Sequence, residues 1–396
     1  MPGQRLSLND SLWVSSDSIA VRNLHTRVET DAVRERGARV FNLKFPYEKE
    51  NLEALRKLVW QSDRHVILSW LHPYELKSFY PIFRERKNFS IILDDWWIIP
   101  HWFIREAEYK VFRKYNGIAV RLGKTDLVTE TPPLVTRPEP IVKYSVAAAA
   151  LHWPVLALGP FVDFYRQLKR ENVAPEKLFY LPFPVVAEAL PLKDEELKYD
   201  FCLTASTCGV WMMRDAYAPF KYAFANLYYD RQRLMDGISM FAGNPFKVYD
   251  WRRLDRPRTP VSWEEYIQLT RQSRFIVATG GLHNAAVAKY AEYLCLGTPM
   301  IGRALPFEYP WLDDCLFPVN VLRLTPGPLK PLLHEALERY PVFRENCLKW
   351  RARILELYEM HRLLDMLQAQ ADGQPISPGY LKMDLKNPSA PNPERA

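Results

Sequence analysis

The stretch of the chain best equipped for chemistry runs Phe275-Ile-Val-Ala-Thr-Gly-Gly-Leu-His-Asn-Ala-Ala-Val-Ala-Lys-Tyr-Ala-Glu-Tyr-Leu-Cys-Leu-Gly-Thr-Pro-Met-Ile301. An apolar strand ends in Gly280 and Gly281, and a helix begins within a few residues. Val287, Tyr290, Ala291, Leu294 and Cys295 recur at helical spacing and form its buried stripe. Gly297 ends the helix where a left-handed residue is favoured, and Pro299 blocks its continuation. A strand returns at Pro299–Ile301, which makes the segment a βαβ unit. Such a unit is an anion site: the free N–H groups around Gly280, Gly281, His283 and Asn284 and the positive end of the helix dipole point at one place. The glycines let a phosphate approach the backbone closely. Glu292 lies about 140° round the helix from Val287, off the apolar stripe, at roughly 100° per residue. There it can accept hydrogen bonds from ribose hydroxyls beside the phosphate, with Lys289 one turn earlier as a cation. The competing reading makes Lys289 and Glu292 a surface ion pair at i, i+3.

A second constellation is Asp94-Asp-Trp-Trp-Ile-Ile-Pro-His-Trp102. It follows a strand, the place where open α/β sheets bind ligands. Trp96, Trp97 and Trp102 offer faces for the C–H surface of a sugar, and Asp94 and Asp95 meet hydroxyls. Asp95 or His101 suits a general base towards an acceptor hydroxyl, and His72, after another strand, is the next candidate. Two other readings compete: core tryptophans, or an aromatic belt touching membrane lipid. No further carboxylate or histidine at fixed spacing joins Asp94 and Asp95, so no metal site is expected.

These residues need an α/β frame, and the chain has its rhythm. Strands are expected at Arg39–Leu43, His65–Leu71, Phe89–Leu93, Gly117–Arg121 and Val155–Ala157, with helices at Glu48–Trp60 and Glu106–Tyr115 between them. Prolines at 182 and 184, followed by Lys193-Asp-Glu-Glu196, read as a linker. Beyond it come strands at Tyr199–Thr204, Phe246–Tyr249, Phe275–Ala278 and Pro299–Ile301, and helices at Trp263–Gln272, about 283–296, Leu329–Arg339 and Arg344–Gln370. The last 26 residues hold five prolines and no periodicity, the composition of a disordered tail.

Composition narrows the function. With 396 residues, 48% hydrophobic and 25% charged, the chain can fill two ordinary cores. The net charge of +7 comes from basic residues interspersed with acids, so phosphorylated small molecules are better partners than nucleic acid. Cys202, Cys208, Cys295, Cys315 and Cys347 are odd in number and unpaired in spacing, which argues against disulfides and zinc. No apolar run of about 18 residues and no apolar signal core is present, so the expectation is a cytoplasmic protein with at most peripheral membrane contact.

Lys289-Tyr-Ala-Glu-Tyr-Leu-Cys-Leu-Gly-Thr-Pro-Met-Ile301 resembles the nucleotide-binding helix of GT-B glycosyltransferases, specifically group 1 and spore-maturation-like members. Trp263–Arg274 looks like the stretch before that family's strand, and Lys177–Val185 like the segment leading out of its first domain. The likeness spans roughly residues 160 to 370. It implies two Rossmann-like α/β domains facing across a cleft: 1–190 on the acceptor side, 191–345 binding a nucleotide-diphosphate sugar, a helix 346–370 packing back, and a flexible tail 371–396. Glu292 takes the place of the family's ribose-binding Glu, while the earlier Glu, eight positions before, is Asn284 here. The basic diphosphate clamp is not cleanly matched; Arg214 and Lys221 are the nearest residues, with Arg271 and Arg274 as alternatives. The activity implied is transfer of a sugar to an acceptor hydroxyl without a cofactor or metal. A sugar-nucleotide epimerase on the same fold, or a non-catalytic nucleic-acid or membrane-surface binder, are the alternatives.

Overall fold

The computed structural model describes residues 10–16, 23–43, 49–71, 79, 81–82, 89–93, 118, 122, 155–158, 178–180, 184–204, 229–250, 262–278, 288–304, 310–320 and 326–372. They fall into two compact units. One comprises Met1–Pro100, Thr136–Val186 and Glu356–Tyr380; the other includes Ala187–Leu355.

In the first unit the elements are β1 (Ser11–Ser16), α1 (Asn23–Glu35), β2 (Arg39–Leu43), α2 (Lys49–Trp60), β3 (His65–Leu71), β4 (Phe89–Leu93), β5 (Val155–Leu158) and β6 (Leu178–Tyr180). They build one parallel sheet in the order β2-β1-β3-β4-β5-β6. Consecutive residues Leu12, Trp13 and Val14 of β1 and Val66, Ile67 and Leu68 of β3 are all buried. A strand buried on both faces reads as an unbroken apolar run, which is why β3 is visible in the sequence. By contrast β1 and α1 were not anticipated. Buried serines dilute β1 (Ser11, Ser15), and α1 carries Glu29 inward, where it accepts from Ser69 Oγ at 2.5 Å.

The second unit runs β7 (Tyr199–Leu203), α3 (Tyr229–Ser239), β8 (Val248–Asp250), α4 (Trp263–Arg271), β9 (Ser273–Val277), α5 (Ala288–Cys295), β10 (Met300–Gly302), α6 (Pro310–Cys315), β11 (Leu316–Pro318) and α7 (Pro326–Leu357). Its parallel strands stand in the order β11-β10-β9-β7-β8. Numbered within each unit, both sheets share the order 2-1-3-4-5, to which the first adds a sixth strand beside its fifth, with the switch point between the first strand and the third. Phe201, Phe275, Ile301, Phe317 and Phe343 centre the core of this unit.

Two expectations change. At 117–121 a strand was expected, yet Ile118 is helical and its carbonyl accepts from the Leu122 N–H at 2.9 Å. A short apolar run does not separate strand from helix by periodicity alone. The C-terminal helix does not break near 340. Instead α7 continues through Pro331 and Pro341, because Leu329, Leu333, Ala336, Phe343 and Cys347 at helical spacing are buried along it. The break falls at Tyr358 and Glu359. The Glu359 carboxylate then accepts from the His361 and Arg362 N–H groups at 3.0 and 3.1 Å and opens α8 (Met360–Ala371). Met360, Leu363, Leu364, Met366 and Leu367 of α8 pack with Trp13, Ala32, Val33, Ala38 and Ile67 of the first unit. Arg36 ties the seam, reaching His361 through its ring nitrogen and its carbonyl and Asp365 at 2.8 Å. The helix expected at Glu106–Tyr115 and the tail beyond Asp372 lie outside the described residues.

Candidate functional site

The βαβ unit of the second sheet is assembled from its caps inward. Ser262 opens α4 by accepting the Glu265 N–H at 3.1 Å, and Glu264 and Glu265 complement the helix dipole in its first turn. Across β9, α5 ends in two nested turns. The Gly297 N–H donates to the Leu294 carbonyl at 2.8 Å, and the Thr298 N–H to the Tyr293 carbonyl at 2.9 Å. This is a Schellman motif with Gly297 at φ +70°, the left-handed residue expected there. Arg344 and Arg351 of α7 donate to the carbonyls of Gly297, Leu296 and Cys295, groups that a helix end otherwise leaves orphaned. Thr298 Oγ1 donates to the Thr270 carbonyl at 2.9 Å and pins the end of α5 to the end of α4.

Between these fixed ends sits Glu292, 6% exposed. Its Oε2 accepts from the Tyr266 hydroxyl of α4 at 2.8 Å. The sequence placed Glu292 off the apolar stripe of α5; in the fold that helix is buried on nearly every side, from Tyr290 through Cys295. The surface ion-pair reading therefore does not describe Glu292. Lys289 is exposed, and its Nζ lies 4.5 Å from the centroid of the Tyr266 ring. Tyr266 is a residue that sequence reasoning missed. It lies within the quoted Trp263–Arg274 stretch, but no spacing rule links it to a carboxylate 26 residues on.

The strand order puts the crevice of this sheet outside the carboxyl ends of β7 and β9. At that edge Thr204 follows β7, and its Oγ1 is buried with no hydrogen-bond partner among the described residues. Asp250, at the end of β8 and paired in register with Leu203, is buried and accepts from Ser239 Oγ at 2.5 Å. Thr204 is the second residue that spacing did not single out, since a threonine ending a strand is common.

Arg274 is not brought to that edge. It is the second residue of β9, at the amino end of the sheet, and pairs with Asp200 at 3.3 Å. About four residues of strand at roughly 3.3 Å each separate it from the start of the glycine turn. Arg271 is committed likewise, to Glu195 at 2.7 Å and the Pro191 carbonyl. Both therefore lie at the amino end of β9, away from the glycine turn, each paired with an acid of its own. Gly280, Gly281, His283, Asn284, Arg214 and Lys221 lie outside the described residues, as do His72, Asp94, Asp95, Trp96, Trp97, His101 and Trp102. The strands leading to His72 and Asp94 end side by side, with Leu71 paired to Leu93.

Among the described residues no cluster of three or more His, Cys, Asp or Glu is arranged to hold a metal ion. Nor is any helix among them long and apolar enough to cross a membrane. Cys202, Cys295, Cys315 and Cys347 are buried free thiols. Burial pushes Cys202 and Cys295 each up to about 12, which leaves them protonated and inert as nucleophiles.

No family model and no curated protein sequence matches the chain. Solved structures do match. Sucrose-phosphate synthase (tll1590) from Thermosynechococcus elongatus superposes with a TM-score of 0.54 at 12% identity, over 92% of this chain and 98% of that one. Anabaena Alr3699/HepE in complex with UDP and glucose gives 0.52 at 9% identity, over 92% and 100%. At such identity the likeness concerns the fold. The chain is built as these proteins are, on two Rossmann-like α/β domains of the GT-B type.

Proposed function

We propose that the chain is a glycosyltransferase that moves a sugar from a nucleoside diphosphate sugar to an acceptor hydroxyl. The observation that carries the reading is Glu292, a carboxylate buried on the helix that follows the switch-point strand β9, in a fold shared with a protein solved with UDP and glucose. In this reading Glu292 accepts from a ribose hydroxyl. The N–H groups around Gly280, Gly281, His283 and Asn284, with Lys289, Arg214 and Lys221, meet the diphosphate, and Asn284 reaches the sugar. The bond from the anomeric carbon to the phosphate oxygen breaks, the acceptor oxygen bonds that carbon, and its proton passes to Asp95 or His101, with His72 next in line. Trp96, Trp97 and Trp102 stack on the acceptor, and Asp94 takes its hydroxyls. Helix dipole and cations stabilise the departing diphosphate, so the step requires no metal.

Thermal melts against UDP, GDP, ADP and their sugars test the reading, since a ligand of the folded state raises the melting temperature by mass action. Glu292→Ala is expected to weaken the nucleotide that binds by about 1–3 kcal/mol. Wild-type affinity in that variant removes Glu292 from the site.

A further inference from the structure

Lys289 and Glu292, the two charged residues of α5 read above as donor ligands, are both in contact with one aromatic ring. Tyr266 is 5% exposed; its hydroxyl donates to Glu292 Oε2 at 2.8 Å and its face lies 4.5 Å from Lys289 Nζ. A carboxylate taken from water needs donors that do not move, and a buried phenol is one. The ring itself is wedged. Trp263 packs at 5.3 Å and Tyr293 at 5.9 Å between centroids, and Thr270 Oγ1 donates to the Tyr266 carbonyl at 2.7 Å. Burial first, then the Glu292 charge, holds the Tyr266 phenol well above its ordinary range. The proton therefore stays on the phenol at every physiological pH, and the hydroxyl remains available as a donor to Glu292. The face of the same ring attracts the ammonium through its quadrupole. Hydroxyl and face thus fix the carboxylate and the cation relative to each other, one helical turn apart.

We propose that Tyr266 is a positioning residue for the nucleoside diphosphate, aiming Glu292 at the ribose with its hydroxyl and Lys289 at the diphosphate with its ring. The proposal rests on the donor-site reading of Glu292 and Lys289 above, and Tyr266 itself touches no substrate. It separates two variants that a packing role would rank only by volume. Tyr266→Phe removes the aim of Glu292 and keeps that of Lys289. Tyr266→Leu removes both.

The test is a pair of double-mutant cycles, read by calorimetric titration of the nucleoside diphosphate (UDP, GDP or ADP) that gives wild type its largest thermal shift. Tyr266→Phe is expected to weaken binding about tenfold in the wild-type background and less than about twofold when Glu292 is already Gln, because its effect passes through that carboxylate. The additional loss from Phe to Leu is expected to vanish in a Lys289→Met background. Equal losses in all backgrounds would make Tyr266 mere packing and overturn the proposal. So would a Tyr266→Phe protein that binds as wild type while Glu292→Gln does not. If Tyr266→Phe alone does not fold, Glu292→Gln against the Tyr266→Phe, Glu292→Gln double variant still decides. Equal affinities support the proposal, and a further several-fold loss overturns it. A wild-type protein that binds no nucleoside diphosphate, or a Glu292→Gln variant that binds normally, instead brings down the donor-site reading and this proposal with it.

Discussion

At the scale of single residues, Gly297 carries two demands at once. Its φ of +70° is costly for any side chain, and an added Cβ would run into the Arg344 guanidinium that holds the end of α5. Gly243 has a similar φ of +84° but open space around it. Gly297→Ala should therefore cost more than Gly243→Ala: about 2–3 kcal/mol against about 1 kcal/mol, the latter being backbone strain alone. Urea denaturation of both variants checks the order, and equal losses would mean that Arg344 simply moves aside. Gly297 was legible because helix end, glycine and Pro299 follow one another in sequence. The partners of Glu292 were not. Tyr266 reaches it across two helices, and Arg271 and Arg274 looked like free cations until the fold handed them Glu195 and Asp200.

At the scale of elements, legibility followed burial. The apolar runs Val66–Leu68 of β3, Phe201–Leu203 of β7 and Phe275–Val277 of β9 stand where their composition puts them, whereas β1 and α1 bury polar residues, Ser11 and Ser15 in the one and Glu29 in the other. The prolines of α7 misled for a physical reason. A helix proline costs about 3 kcal/mol, and a long buried face of α7 outweighs it. α8 makes the strongest claim among the elements, because it covers Trp13 and Ile67 with a face of leucines and methionines. Leu363→Ala, at a buried position, is expected to destabilise by about 2–5 kcal/mol. The loss should appear in the unit that holds β1 and β3. Hydrogen exchange by mass spectrometry reads it: faster exchange in β1 and α1, with β7 and β9 unchanged. A chain ending at Asp372 keeps all of α8 and should melt as the full chain does.

For the whole molecule, the described thiols held above their ordinary range, Cys202, Cys295 and Cys315, all belong to the unit built on β7 to β11, Cys315 through its hydrogen bond to Cys347 and burial. Cys202 and Cys295 are each pushed from 9.0 up to about 12, so the folded state holds their protons more tightly than the unfolded one. The stability they contribute is complete below pH about 9 and is lost as the pH rises towards about 12. Melting followed from pH 7 to 11 should show the β7–β11 unit failing first in alkali. Simultaneous loss of both units would locate the weakness elsewhere. The paired sheets were visible in outline as alternating strands and helices. Their common 2-1-3-4-5 order was not, since order is a property of pairing between strands and no local pattern encodes it.

Arg36 and His361, hydrogen-bonded across the seam of α1 and α8, lie 325 residues apart in the chain. That separation sets an order of events during synthesis. The sheet that begins with β1 leaves the ribosome first, yet the helix that closes its core arrives only after every strand of the other sheet has been made. The later-made unit can thus complete its core while the earlier one still exposes Trp13 and Ile67. Until α8 emerges, the nascent chain carries an uncovered apolar face, the kind of surface that chaperones hold.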